Sequence, residues 1–402
     1  MEETLTKASP APLEGIRVLD LSHMLAAPLA TMMLADLGAS IVKVEAPPSG
    51  DHTRTVGVQG AMFLAANRTK RSIVVDLQTE RGRDVALRLA AQSDIVVEAF
   101  RPGVLNKLGL GRDDLRAVNP SVILASLVGF GAVGPDSGRR GVDLVIQAES
   151  GIMSTTGEPG GEPLKVGFQL VDAASGLAFA QAILAALLRR ERFGVASEVE
   201  VRLLDTALYL QSFQLTEMSL TGVQHERTGN SAPHAAPSDL VHAADGDLVI
   251  AAYFDDQWRG LCEVLDLEWM LDDERFATQP ARLAHRAEML ATLDDRFRTA
   301  PRAHWYDRLN ARGVLVGEVR THDEILTWDQ PRVNGAFLTS EMDDGTPMTL
   351  VNSPYRLSDH EVEAGRPPGL GEHTLDVARE LGFTDAEVDS MVADGVLGTP
   401  RP

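Results

Sequence analysis

The chain of 402 residues carries 58 acidic against 37 basic side chains, a formal net charge of −21. Its length suggests two or three domains of roughly 150 residues, and its charge argues against a nucleic acid, which needs a basic face, and an anionic membrane surface, which would repel it. One cysteine, Cys262, rules out an internal disulfide and a multi-thiolate metal site, and fits a reducing cytoplasm. Residues 1–11 are polar, with Pro10, and read as a mobile tail; the acidic start has no apolar core, so no signal peptide is expected.

Residues 15–21 read as a short buried strand. The apolar segment 28–37 reads as a helix, with Pro28 in its first turn and Gly38 as its stop. Residues 39–45 are the next strand, so the three make a βαβ unit. The pattern recurs: strand 71–77, helix 80–92, strand 93–98, strand 122–127. Short β-branched runs divided by helices predict an α/β fold, a doubly wound parallel sheet covered on both faces. Residues 173–190 predict an Ala/Leu helix ending in Arg189-Arg190, the charge that suits a helix C-terminus. Its apolar stretch, 177–188, is 12 residues long, and a membrane span needs about 20. Residues 199–203 alternate and suggest another strand. Residues 222–237 are rich in Gly, Pro, His and Asn and read as a loop or linker. A strand from 245 and amphipathic helices to about 325 suggest a smaller second domain. Segments 350–357 and 375–396 return to strand and helix patterns.

Gly129-Phe130-Gly131-Ala132-Val133-Gly134 matches G-x-G-x-x-G after a strand. A dinucleotide site also needs a helix opening directly behind the glycines. Pro135-Asp136-Ser137-Gly138 follows instead, so the motif is read as a loop. No metal-ligand spacing stands out among the ten histidines. Asp172 directly precedes the most apolar helix. It suits an N-cap, and it equally suits a nucleophilic carboxylate at a helix N-terminus; local pattern does not separate the two. Lys70-Arg71, Arg101, Lys107 and Arg139-Arg140 lie beside strand ends or in the loops behind them, where open α/β sheets bind ligands. A phosphate-bearing ligand would need such cations, though each also suits a solvated surface.

Several of these segments together resemble the class III CoA-transferases, the CaiB/BaiF family, which includes formyl-CoA transferase, carnitine CoA-transferase and α-methylacyl-CoA racemase. The resemblance starts at Pro12-Leu13-Glu14-Gly15-Ile16-Arg17-Val18-Leu19-Asp20-Leu21-Ser22-His23. It continues through Asn67-Arg68-Thr69-Lys70-Arg71-Ser72, Val97-Glu98-Ala99-Phe100-Arg101-Pro102-Gly103, Val171-Asp172 with Gly176, and Arg227-Thr228-Gly229-Asn230. It reaches Gly369-Leu370-Gly371-Glu372-His373, in family order. The resemblance implies a Rossmann-like CoA-binding domain built from both chain ends, over 12–205 and again within 329–402. It implies a linker at 206–237, a smaller α+β domain at 238–328, and an interlocked homodimer.

By position, the resemblance makes Asp172 the nucleophile. It gives the coenzyme A contacts to His23, Leu25 and Ala26; to Val75, Asp76 and Gln78; to Ala99, Phe100 and Arg101; and to Lys107 and Arg140. Coenzyme A enters as a substrate thioester, with a carboxylic acid as acceptor, no tightly bound cofactor and no metal. Three positions depart from formyl-CoA transferase: Ala46 for an Arg, Leu25 for a Gln and Ala99 for an Asn. Its glycine-rich flap has no counterpart near Tyr253-Phe254-Asp255-Asp256, which disfavours oxalate as acceptor. His234, Tyr253 and Phe254 are candidates for the acid pocket. The racemase branch carries a His before the Asp of Arg140-Gly141-Val142-Asp143; Val142 moves no proton, which favours transfer. A non-catalytic acyl-CoA-binding protein is the remaining alternative.

Overall fold

The computed structural model describes residues 10–342 and 344–400; nearly all of the expected tail, residues 1–9, lies outside them. The chain divides into two compact units. The first takes the residues up to 152, 166–219 and those from 330 on; the second takes 153–165 and 220–329.

The first unit is built on a seven-stranded sheet. Its parallel strands are β1 (Arg17–Asp20), β2 (Ser40–Glu45), β3 (Arg71–Val75), β4 (Ile95–Glu98), β5 (Ile123–Val128) and β6 (Glu198–Arg202). Their order is β3-β2-β1-β4-β5-β6, with the two-residue strand Leu397–Gly398 added antiparallel to β3. The central strands are buried runs of Val, Ile and Leu, as a sheet covered on both faces requires. The first four helices used below are α1 (Ala26–Asp36), α2 (Glu80–Ala91), α3 (Asp143–Glu149) and α4 (Leu170–Phe193). Gly38, at φ +98°, ends the turn behind α1, and Thr79 caps α2 by accepting the Gly82 N–H. The strand order reverses direction between β1 and β4, and such a switch point opens a crevice at the carboxyl ends of the strands.

Three elements differ from the sequence reading. Residues 206–221, expected as linker, are mostly helical, in Leu203–Leu210 and Ser212–Thr221; loop composition begins only at Gly222. The edge strand Leu397–Gly398 is too short to show a period. A hairpin, Phe337–Glu341 with Pro347–Val351, overlaps the expected strand segment 350–357 only at its first two residues. Helix α4 has 24 residues and is long and apolar enough to cross a membrane. In this fold it buries Val171, Phe179, Ile183 and Leu187 in the core shared with α1.

The second unit holds a three-stranded antiparallel sheet, Ser238–Ala243, Gly246–Ala251 and Leu315–Glu318. Helices including Asp255–Leu265, Arg286–Phe297 and Arg302–Ala311 close its core around Trp258, Phe297 and Trp305.

Candidate active site

The crevice begins at the end of β1. Asp20 is fully buried there. Its carboxylate accepts the Ser22 N–H at 2.9 Å, the Thr31 hydroxyl at 2.7 Å and the Lys70 ammonium at 3.1 Å. Burial alone would raise the Asp20 carboxyl; Lys70 and Lys43 outweigh it and hold it well below the usual range. Lys43 donates to the Ser22 carbonyl at 2.7 Å and pairs with Asp51 at 3.0 Å. Asp51 in turn accepts the N–H of Met24, whose φ of +69° is rare for a side-chain-bearing residue. This network holds the loop at His23, Met24 and Leu25 in one conformation. The loop behind β4 is fixed by Glu98, which accepts the Phe100 N–H at 2.6 Å.

Two adjoining cavities run along these loops. The larger, about 1130 Å³, is lined by His23, Val75, Asp76, Gln78, Phe100 and Lys107 among others. The smaller, about 430 Å³, is lined by His23, Leu25, Ala26, Ala99, Phe100 and Arg101, and also by Arg140 and Asp172. Asp172 and the eleven residues that the resemblance assigns to coenzyme A therefore line these two adjoining cavities. His23 and Phe100 belong to both cavities, and their rings lie 5.4 Å apart at the junction. Ala46 lies on the wall of the larger cavity, where the resemblance leads one to expect an Arg. His234, Tyr253 and Phe254 lie in the second unit; Tyr253 and Phe254 lead into the helix Asp255–Leu265.

Asp172 lies in the first turn of α4, and it is not the cap. No side chain at the N-cap position, Gln169, makes a capping bond. The cap comes from Asp143 at the start of α3, which accepts the N–H of Val171 at 2.8 Å and that of Asp172 at 3.2 Å. The Asp172 carboxylate is thereby left to the cavity. Burial, with the Asp143 charge beside it, pushes the Asp172 carboxyl up to about 7.

The basic residues separate into two groups. Lys70 is buried on Asp20, Asn67 and the Pro28 carbonyl; Arg71 pairs with Glu380; Arg139 pairs with Glu149 and Asp136. These three are not free for a ligand phosphate. Arg101, Lys107 and Arg140 line the cleft and, among the described residues, make no ion pair. The sequence reading missed Arg83, in the first turns of α2, which lines the larger cavity and lies over Gly109. Its only signal was a basic residue just behind the strand 71–77. The sequence reading also passed over Asp143 as a cap, although it precedes an apolar helical segment.

The G-x-G-x-x-G stretch forms a wall of the smaller cavity through Gly129, Phe130 and Gly131. Gly129 packs on Gly141, where a Cβ would stand 2.7 Å from the Gly141 Cα. No helix opens until Asp143, so these glycines form no helix-start phosphate loop.

The model of CoA-transferase family III matches residues 13–374. A probable fatty acyl-CoA transferase of Mycobacterium tuberculosis is 39% identical over 91% of this chain and 97% of its own length. A succinate–glutarate CoA-transferase of Agrobacterium fabrum is 36% identical over 92% and 96%. The solved structure of a CaiB/BaiF family protein from Brucella suis superposes with a TM-score of 0.86 at 37% identity, covering 93% of this chain and all of that one. With the match extending over both units, the chain belongs to CoA-transferase family III.

Proposed function

We propose that this CoA-transferase moves coenzyme A from an acyl-CoA donor to a carboxylic acid, with Asp172 as nucleophile and an aspartyl-CoA thioester as intermediate. The observation that carries the reading is the Asp172 carboxylate. It is relieved of capping by Asp143 and faces a cavity that adjoins one large enough for a nucleotide-bearing arm.

An Asp172 oxygen attacks the donor thioester carbonyl and expels the CoA thiolate, leaving a mixed anhydride. The thiolate attacks the aspartyl carbonyl and releases the donor acid, leaving aspartyl-S-CoA. The acceptor carboxylate attacks that thioester, expels the thiolate again and forms a second anhydride. The thiolate then attacks the acceptor acyl carbon, giving the new acyl-CoA and free Asp172. Every intermediate retains an activated carbonyl, and the steps need no net proton.

Arg83 and Lys107 offer charge to phosphates in the larger cavity. Val142, 50% exposed on the wall beside Asp172, offers no base for proton removal, which favours transfer over racemisation. The second unit is proposed as the small α+β domain. The active form is proposed to be an interlocked homodimer in the cytoplasm. Exposed Tyr209 and Phe213, on the helices behind β6, support an interface.

Intact-protein mass spectrometry tests the nucleophile. The protein is incubated briefly with succinyl-CoA or a medium-chain acyl-CoA and trapped with hydroxylamine or borohydride. An adduct that maps to Asp172, and is lost in Asp172→Ala, is expected. Unmodified Asp172 with every donor, despite CoA binding, would overturn the reading.

A further inference from the structure

We propose that Asp143 is a positioning residue for Asp172: one carboxylate fixes the first turn of α4 and supplies the negative charge that Asp172 faces. The proposal rests on the reading of Asp172 as nucleophile.

The geometry is a relay of buried groups. Gln147 is fully buried one turn along α3 from Asp143. Its carbonyl oxygen accepts the Val166 N–H at 2.9 Å, and its amide donates to Asp143 Oδ2 at 2.5 Å. Asp143 Oδ1 takes the N–H groups of Val171 and Asp172. The segment that leads into α4 is thus held at both ends by one helix turn. Helix starts leave such N–H groups unsatisfied, and Asp172 itself does not serve them.

The second effect is electrostatic. Facing Asp172 across the smaller cavity are His23 from the loop behind β1, Arg101 from the loop behind β4, and Arg139 and Arg140 from the loop before α3. Arg139 is engaged by Glu149 and Asp136. Asp143 is the anion among these groups that is both buried and bonded to the Asp172 backbone. A carboxylate beside an anion is more basic, and a more basic carboxylate is the stronger nucleophile once ionised.

Asp143→Asn removes the charge while its amide oxygen still accepts both N–H groups, but its NH2 then opposes the Gln147 amide that Asp143 Oδ2 accepts from. The limb over which Asp172 acylation rises with pH moves to lower pH. The rate at pH 6 relative to pH 8 rises about fivefold, while the plateau falls. Asp143→Ala lowers the plateau further, and Asn restores part of the loss. Asp143→Asn with Gln147→Glu keeps the relay bonded and moves the charge one link away; it gives an intermediate limb and guards against a misfolded single variant. Infrared titration of the Asp172 carboxyl in protein labelled with ¹³C-aspartate, assigned with Asp172→Asn, reads the same shift without turnover. An unmoved Asp172 titration in both Asn-bearing variants overturns the proposal. Wild-type protein that titrates as expected and forms no adduct instead overturns the nucleophile.

Discussion

Gly176 of α4 lies against the backbone of Ala26 at the start of α1: a Cβ on Gly176 would stand 2.8 Å from the Ala26 carbonyl oxygen. That approach, one turn beyond Asp172, brings the helix that carries Asp172 onto the loop of His23 and Leu25. Exchanging Gly for Ala within a helix gains about 1 kcal/mol of propensity, whereas overpacking against backbone costs about 1–3 kcal/mol. Gly176→Ala is therefore expected to be neutral to mildly destabilising in urea. Gly176→Val is expected to lose both stability and Asp172 acylation.

Acylation is expected to rise with pH through about 7, because the Asp172 carboxyl is raised by burial and by Asp143 and only its ionised form attacks. The same shift has a stability sign. A carboxyl raised above its unfolded value of 3.8 stabilises the fold fully below 3.8, and that contribution is lost as pH rises through about 7. Asp172→Asn is expected to be inactive and, at pH 8, more stable than the native chain by roughly 1–3 kcal/mol. Urea unfolding at pH 5 and pH 8 checks this; an equal effect at both refutes it.

Arg83 lines the larger cavity without an ion pair among the described residues. Arg83→Ala is expected to weaken CoA binding about tenfold, near 1.4 kcal/mol. The loss should shrink at high salt. Calorimetric titration with CoA at two ionic strengths measures both.

Lys70→Ala leaves Asp20 buried without its nearest cation. Breaking one side of a buried pair costs about 3–5 kcal/mol, so the chain is expected to unfold at markedly lower urea. Arg71→Ala, which opens an exposed pair with Glu380, is expected to cost under about 1 kcal/mol.

Tyr209→Ser with Phe213→Ser is expected to weaken the proposed dimer, because both side chains are exposed, at 81% and 59%. Interlocked chains separate only on unfolding, so the loss is read as a lower urea midpoint, and an unchanged midpoint would place the interface elsewhere.

The sheet was legible because most of its parallel strands are short apolar runs, β6 alternates, and helices between them show their own period. The edge strand Leu397–Gly398 was not, since two residues carry no period. Asp172 was legible as a position in a recurring set of segments. Its local reading as a cap was wrong because the capping oxygen comes from Asp143, 29 residues earlier in the chain. Lys70 read as a candidate phosphate cation. Its partner Asp20, 50 residues away, withdraws it into the core.

The sequence by itself determined the strand and helix alternation, recorded in local pattern, and the family resemblance, recorded in the order of its segments; the resemblance in turn pointed to the twelve residues around the cleft. Only the tertiary structure decided which cations are free, which carboxylate caps α4 and which faces the cavity. Those answers depend on contacts between residues distant in the chain, and burial sets the charge each group carries.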